Sequence, residues 1–160
     1  MRWIVSTGNE FPAGGTDGGC FAGLTVSVLA QKEIQMATEM RLELIQVPVS
    51  DIDRAKTFYT EQVGFNADHD HQVTDELRFV QLTPPGSACS IALTSGAHQM
   101  RPGSIEGLQL VVDDAEGTRA ELAGRGVNVS DVKVFPWGSF VFFNDPDGNG
   151  WAVQAITRPD

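Results

Sequence analysis

Cysteine is scarce in this chain: Cys20 and Cys89 are the two present among 160 residues. They make neither a disulfide framework nor a CxxC metal pair, a usage that suits a reducing compartment such as the cytoplasm. Basic side chains are also few. Eleven Lys and Arg stand against 21 Asp and Glu, a formal charge of −10 with no local basic cluster. That balance opposes phosphate backbones and anionic membrane surfaces, so no nucleic acid and no membrane is expected as a partner. The apolar run CFAGLTVSVLA is about a dozen residues, too short to span a bilayer as a helix. Nucleophile machinery is missing from the pattern as well. There is no GxSxG elbow, Cys89 has no His at a recognisable spacing, and Gly14-Gly15 and Gly18-Gly19 follow no strand and form no phosphate cradle.

What is present divides unevenly. The stretch GNEFPAGGTDGG is rich in glycine and turn formers and cannot bury a core, so residues 1–40 are expected to be a poorly structured extension. Val28 and Ala30 fit the small-residue rule of a signal-peptide cleavage site, but a single early Arg2 and the acids Glu10 and Asp17 oppose that reading. Met36 and Met40 are alternative starts downstream of the extension.

The stretch FFNDPDGNGWAVQ imitates half of a calcium loop, with Asp145, Asp147, Asn149 and Gly150 in DxDxNG order. The twelfth position, where a bidentate Glu closes the coordination sphere, is Ile156. The flanks are aromatic and β-branched runs, which read as strands rather than helices. Asp-Pro and Asp-Gly therefore signal a tight turn between two strands.

From Arg41 onward the chain repeats itself. RLELIQVPV reads as a strand, and SDIDRAKTFYTEQVGF as a helix capped by Ser50 or Asp51 and stopped at Gly64. Ala55, Phe58 and Tyr59 share a helix face that should enter the core. FNADHDHQ, ELRFVQLTP and SACSIALT follow as strands. The order returns with EGLQLVVDD, the helix AEGTRAELAGRG, and the strands VNVSDV, GSFVFFN and GWAVQAIT. An offset of 62 lays Asp51 on Asp113, Gly64 on Gly126 and Asn66 on Asn128. The fold expected is α+β: two tandem βαβββ modules, 41–95 and 105–157 of one domain 41–160, forming a curved mixed sheet. A concave cavity between modules is the natural ligand pocket.

VPVSDIDRAKTFYTEQVGF, its shorter second copy GLQLVVDDAEGTRAELAGRGV, and the DPDGN turn before the last strand together resemble the vicinal oxygen chelate superfamily. This is the glyoxalase, bleomycin-resistance and extradiol-dioxygenase group. The resemblance covers about 41–157. It implies a homodimer and, in metal-dependent members, His, Glu or Gln on four strands around one divalent ion. Here those positions fall on Leu44, Ala92, Gly107 and Ala152, which cannot ligate a metal. Neither a metal nor any other cofactor is expected. A slip of one residue would bring Glu43 or Glu106 into register but turn each to the other strand face.

Strand alternation sends Leu42, Gln46, Ser90, Thr94, Gln109, Val111 and Gln154 to the same face as those four positions. The expected ligand-binding set is Leu44, Gln46, Ser90, Ala92, Gln109, Trp137, Ala152 and Gln154: an apolar floor with uncharged amides, suited to a small neutral or aromatic molecule. Trp137 either stacks on a planar ligand or covers the sheet edge, whereas Trp151, of opposite parity to Ala152, belongs to the core. His69 and His71 stand at strand spacing and could chelate a metal edge-on, but among Asp68 and Asp70 they read as a solvated polar edge. His98 has no evident partner, and Arg78 and Glu76 either reach a ligand or form a solvated strand face. Cys89 reads as a small buried filler. Two functional classes follow. One is a bleomycin-resistance-like protein that binds a small-molecule ligand without chemistry. The other is a lyase, isomerase or dioxygenase with a displaced or divergent metal site.

Overall fold

The computed structural model describes residues 39–75, 77–94 and 100–157. The expected extension, Cys20, Glu76 and His98 lie outside the described residues, apart from Glu39 and Met40. The described residues belong to one compact unit.

The first copy opens with β1 (Leu44–Pro48), followed by α1 (Ile52–Thr57). Asp51 caps α1, its carboxylate accepting the Arg54 N–H at 3.0 Å, as extended backbone before a helix allows. The helix then widens into a π segment, Phe58–Val63, before Gly64 stops it at φ 95°. Thr60 gives a local reason for the change. Its hydroxyl donates to the Lys56 carbonyl at 2.9 Å, drawing on an oxygen that an α-helical ladder would use. The Tyr59 carbonyl instead accepts from both Gly64 and Phe65 N–H groups, at 2.9 and 2.8 Å. Three strands complete the copy: β2 (Asn66–Gln72), β3 (Arg78–Thr83) and β4 (Ser90–Thr94), in sheet order β1-β4-β3-β2.

The second copy comprises β5 (Leu108–Val112), α2 (Ala115–Gly124), β6 (Lys133–Phe135), β7 (Gly138–Asn144) and β8 (Gly150–Ile156), in sheet order β5-β8-β7-β6. Each sheet is mixed, with its first strand parallel to its last and the rest antiparallel. The duplication is therefore present, and the fold is α+β.

Two details differ from the sequence reading. The residue that caps α2 is Asp114, accepting from the Glu116 N–H at 3.0 Å, not Asp113. The offset from Asp51 is thus 63, while Gly64 still matches Gly126, so the first helix holds one residue more. The π segment absorbs that residue. Secondly, VNVSDV is not a strand. Val129 makes an isolated bridge to Phe143, and Ser130 occupies both polar groups of Phe142, its N–H donating to the carbonyl at 2.8 Å and its Oγ accepting the N–H at 3.0 Å. A side-chain hydroxyl ends the ladder there. Pairing resumes at Lys133–Phe135, which turns through Pro136-Trp137 into β7.

The core lies between the two sheets' helix-bearing faces. Val47, Val80, Leu82, Ile91 and Leu93 enter it from the first sheet, and Val141, Phe143, Trp151 and Val153 from the second. Phe58 and Tyr59 bridge the halves: Phe58 packs on Phe143 with ring centroids 6.2 Å apart, and Tyr59 meets Trp151 edge-on at 5.8 Å. Both are buried, as helical spacing implied. Burial of such rings contributes about 1.5–3 kcal/mol each. Cys89 is half-buried, less enclosed than a core filler, because it precedes β4 in the connection after β3.

Candidate functional site

Since one face of each sheet enters the core, strand alternation puts the remaining residues on an outer face. Cross-strand register gives the plan of that face in the second sheet. One row runs Gln109, Ala152, Phe142; the next runs Val111, Gln154, Phe140, Lys133; a third holds Ile156, Gly138 and Phe135. Phe140 and Phe142 lie nearly parallel, 9° between planes at 6.2 Å. Phe135 meets Phe140 edge-on at 5.6 Å and stacks on Trp137 at 5.4 Å and 12°. Four aromatic rings thus tile one side of the sheet, and Trp137 and Val111 remain 60% and 61% exposed. A cavity of about 340 Å³ adjoins them, with Glu106, Gly107, Phe142, Asn144 and Ala152 in its wall.

Trp137 is held in place through its backbone. Gln154 donates Nε2–H to the Trp137 carbonyl at 3.1 Å, and its Oε1 accepts from Gln109 Nε2 at 2.5 Å. Gln154 is 8% exposed, so both ends of its amide serve the fold rather than standing free for a ligand as its sequence position implied. Gln109 is exposed on this face and spends an amide hydrogen on Gln154. Gly138 makes room for the arrangement. Its φ is 149°, and a Cβ there would meet the Ala155 carbonyl oxygen at 2.4 Å and Gln154 Nε2 at 3.1 Å.

The outer face of the first sheet is polar instead. Leu44 and Gln46 on β1 are registered with Ser90 and Ala92 on β4, and Ala92 with Gln81 on β3. Ser90 Oγ accepts from Gln81 Nε2 at 3.1 Å and shares a 2.6 Å hydrogen bond with Thr83 Oγ1, which also donates to Asp68. Thr94 Oγ1 is buried on the same face with no partner among the described atoms. A shift of register at Asp68 brings His69 opposite Gln81 and His71 opposite Phe79, so both imidazoles stand on this face with centroids 5.6 Å apart. Arg78 is on the helix side, paired with Asp70 at 2.7 Å and Asp53 at 2.8 Å, and has no part in the outer face. Arg78 first, then Lys56, holds the Asp70 carboxyl well below the usual carboxylate range.

The eight expected residues therefore fall into two sets: Leu44, Gln46, Ser90 and Ala92 on the first sheet, and Gln109, Trp137, Ala152 and Gln154 on the second. The sets meet in a crevice of about 80 Å³ that Ser90 and Gln109 both line, room for a few waters and not for a drug-sized ligand. Sequence reasoning missed Phe135, Phe140 and Phe142. The signal for two of them was available, because a hairpin turned at DPDGN pairs Phe142 with Ala152 and Phe140 with Gln154.

A divalent ion finds no donors at the four positions implied by resemblance. Leu44, Ala92, Gly107 and Ala152 carry no ligating atom. Among the described residues no group of three or more His, Cys, Asp or Glu is placed to hold a metal. No helix of the described residues is long and apolar enough to cross a membrane.

Comparison with known proteins agrees with this architecture. YetH of Bacillus subtilis, uncharacterized in function, is 31% identical over 116 residues, covering 69% of this chain and 93% of YetH. The crystal structure of TnmS3, an antibiotic binding protein from Streptomyces sp. CB03234, superposes with a TM-score of 0.70 at 39% identity, over 75% of this chain and 98% of TnmS3. A glyoxalase/bleomycin resistance protein from the same organism superposes with a TM-score of 0.64 at 41% identity, over 71% of this chain and 99% of that one. The profile of the Glyoxalase/Bleomycin resistance protein/Dioxygenase superfamily matches residues 41–153. This chain belongs to that superfamily, and its paired βαβββ copies are the vicinal oxygen chelate fold.

Proposed function

We propose that the protein binds a small neutral or aromatic molecule on the outer faces of its sheets, without a metal and without chemistry, and that residues 41–160 are the binding unit. The observation that carries this reading is the tiled aromatic face of Phe135, Trp137, Phe140 and Phe142, with Trp137 anchored by Gln154. Offset or edge-on stacking on such rings contributes about 0.5–1.5 kcal/mol per contact beyond area burial. The likeness to an antibiotic binding protein supports the same class of ligand.

Two copies pairing as a homodimer would cover these faces and enclose the ligand. Exposed Val111, Trp137 and Phe142 on one face supply the apolar area such pairing needs. Cys89 stands as a free thiol, a state that the cytoplasm preserves.

Planar aromatic probes test this reading by equilibrium dialysis. Binding should weaken about tenfold in Trp137→Ala, the loss of one stacked ring. No probe binding, or binding indifferent to Trp137, would overturn it.

The second reading, an enzyme with a displaced metal site, is favoured by one observation: His69 and His71 share the polar outer face. Elemental analysis after exposure to Ni²⁺, Zn²⁺, Mn²⁺ and Fe²⁺ and desalting separates the two. Less than about a tenth of an equivalent is expected for metal-free binding, and about one equivalent of an ion would favour the enzyme.

A further inference from the structure

Lys133 is the cation of the aromatic face. It stands on β6 directly opposite Phe140, and its Nζ lies over the Phe142 ring, 5.4 Å from the centroid. Its situation differs from that of most bases in this chain. Arg41, Arg54, Lys56, Arg78, Arg119 and Arg125 each pair with a carboxylate. Lys133 makes no such pair among the described residues, although acids outnumber bases 21 to 11. The carboxylate nearest in sequence, Asp131, is taken by Arg119 at 2.7 Å. Glu106, at the cavity wall, precedes β5 at the opposite edge of the four-stranded sheet. Three strand spacings of about 4.8 Å put the two edges about 14 Å apart.

The rows of this face hold no carboxylate: Gln109, Val111, Phe140, Phe142, Ala152 and Gln154 surround the rings. An aromatic surface with an ammonium at its margin that no carboxylate among the described residues holds suits a flat ring system that carries a negative charge at one end. The rings take the flat body, and Nζ takes the acid through charge-assisted hydrogen bonds. A covering ligand would itself lower the local dielectric and strengthen that pair. The chain's net negative charge opposes an anion in the far field, but salt screens it beyond about 8 Å, so the contact decides.

We propose that the ligand of this face is a planar aromatic acid, its ring stacked against Trp137 and the phenylalanines and its ionised group held by Lys133. The proposal rests on the aromatic-binding reading above and deepens it.

The test uses the full chain at pH 7 and two probes of one ring system, 2-naphthoate and neutral 2-naphthamide, by isothermal titration calorimetry. The wild type should prefer naphthoate by at least about fivefold, what one partly screened ion pair supplies. Lys133→Met should reduce the preference to less than about twofold, and Lys133→Arg should retain it. Equal affinity of the wild type for both probes, or a preference that survives Lys133→Met, overturns the proposal while leaving aromatic binding intact. If neither probe binds, the aromatic-binding reading falls and this proposal falls with it.

Discussion

Tyr59 donates its phenolic hydrogen to Asp145 across 86 residues of sequence, at 2.9 Å and out of contact with water. The same phenolic oxygen accepts from Trp151 Nε1 at 3.0 Å, so one hydroxyl joins the first copy's helix to the turn and last strand of the second. Asp145 is itself the hub of the DPDGN turn. Its Oδ1 accepts the N–H groups of Asp147, Gly148 and Asn149 at 2.8–2.9 Å, and its Oδ2 accepts from Asn149 Nδ2 at 2.7 Å. The resemblance to a calcium loop thus has a different cause. The carboxylate gathers backbone hydrogens and a tyrosine where a calcium loop would gather a cation. Burial, and then the Asp145 charge, push the Tyr59 hydroxyl far above its ordinary pKa, so it remains a donor throughout the working pH range.

Tyr59→Phe keeps the ring and removes the hydroxyl, leaving Trp151 Nε1 unpaired and Asp145 one hydrogen bond short. Urea unfolding should show a loss of about 1–3 kcal/mol, the cost of stranding a buried donor. A loss below about 0.5 kcal/mol would mean the hydroxyl is not a joint between the copies.

Asp147 supplies a pH dependence. Burial alone would raise its pKa, but hydrogen bonds from the Ser50 hydroxyl and N–H and from Arg54 outweigh that and lower it. A depressed folded pKa contributes stability that is present above the unfolded value of about 3.9 and lost as pH falls through the folded one. Asp147→Asn should therefore cost about 1 kcal/mol at pH 7, discounted because Arg54 is half exposed, and the difference from wild type should shrink below about pH 4. A difference constant from pH 7 to pH 2 would assign the effect to the turn's shape and not to its charge.

Gly138→Ala tests how the aromatic face is held. The added Cβ meets a backbone oxygen at 2.4 Å, which no side-chain rotation relieves, at a φ of 149° that L-residues avoid. Strain of this kind costs about 1–3 kcal/mol. Because Gln154 Nε2 is the next atom in the way, the tryptophan emission should shift as the Trp137 carbonyl loses its Gln154 donor and keeps only the longer bond from the Thr157 N–H, at 3.4 Å. Unchanged stability and emission would show that the turn adapts and that glycine is dispensable there.

Much of this architecture is legible in the chain because local signals and tertiary demands agree. Asp51 and Gly64 bound the first helix as capping rules imply, and the opposite parity of Trp151 and Ala152 places one in the core and the other on the outer face. Legibility fails where one side chain intervenes in the backbone ladder. Ser130 displaces β6 by taking both polar groups of Phe142, and Thr60 loosens the helix by drawing on the Lys56 carbonyl. Neither effect leaves a periodic trace. The amides were only half legible: alternation puts Gln109 and Gln154 on one face, but not that Gln154 turns inward to hold a carbonyl while Gln109 stays exposed.

The extra residue in the first helix makes the two copies non-exchangeable. Counting from the caps, Tyr59 corresponds to Leu122, and the Tyr59 carbonyl that receives Phe65 has its counterpart in the Leu122 carbonyl that receives Val127 at 3.0 Å. Leucine offers no hydroxyl. The first copy also has Pro84-Pro85-Gly86 where the second has its aspartate-centred turn. The Tyr59–Asp145 bond, helix of the first to turn of the second, therefore has no counterpart from the second helix to the turn of the first. A chain assembled from two second copies would keep both sheets and lose the clasp.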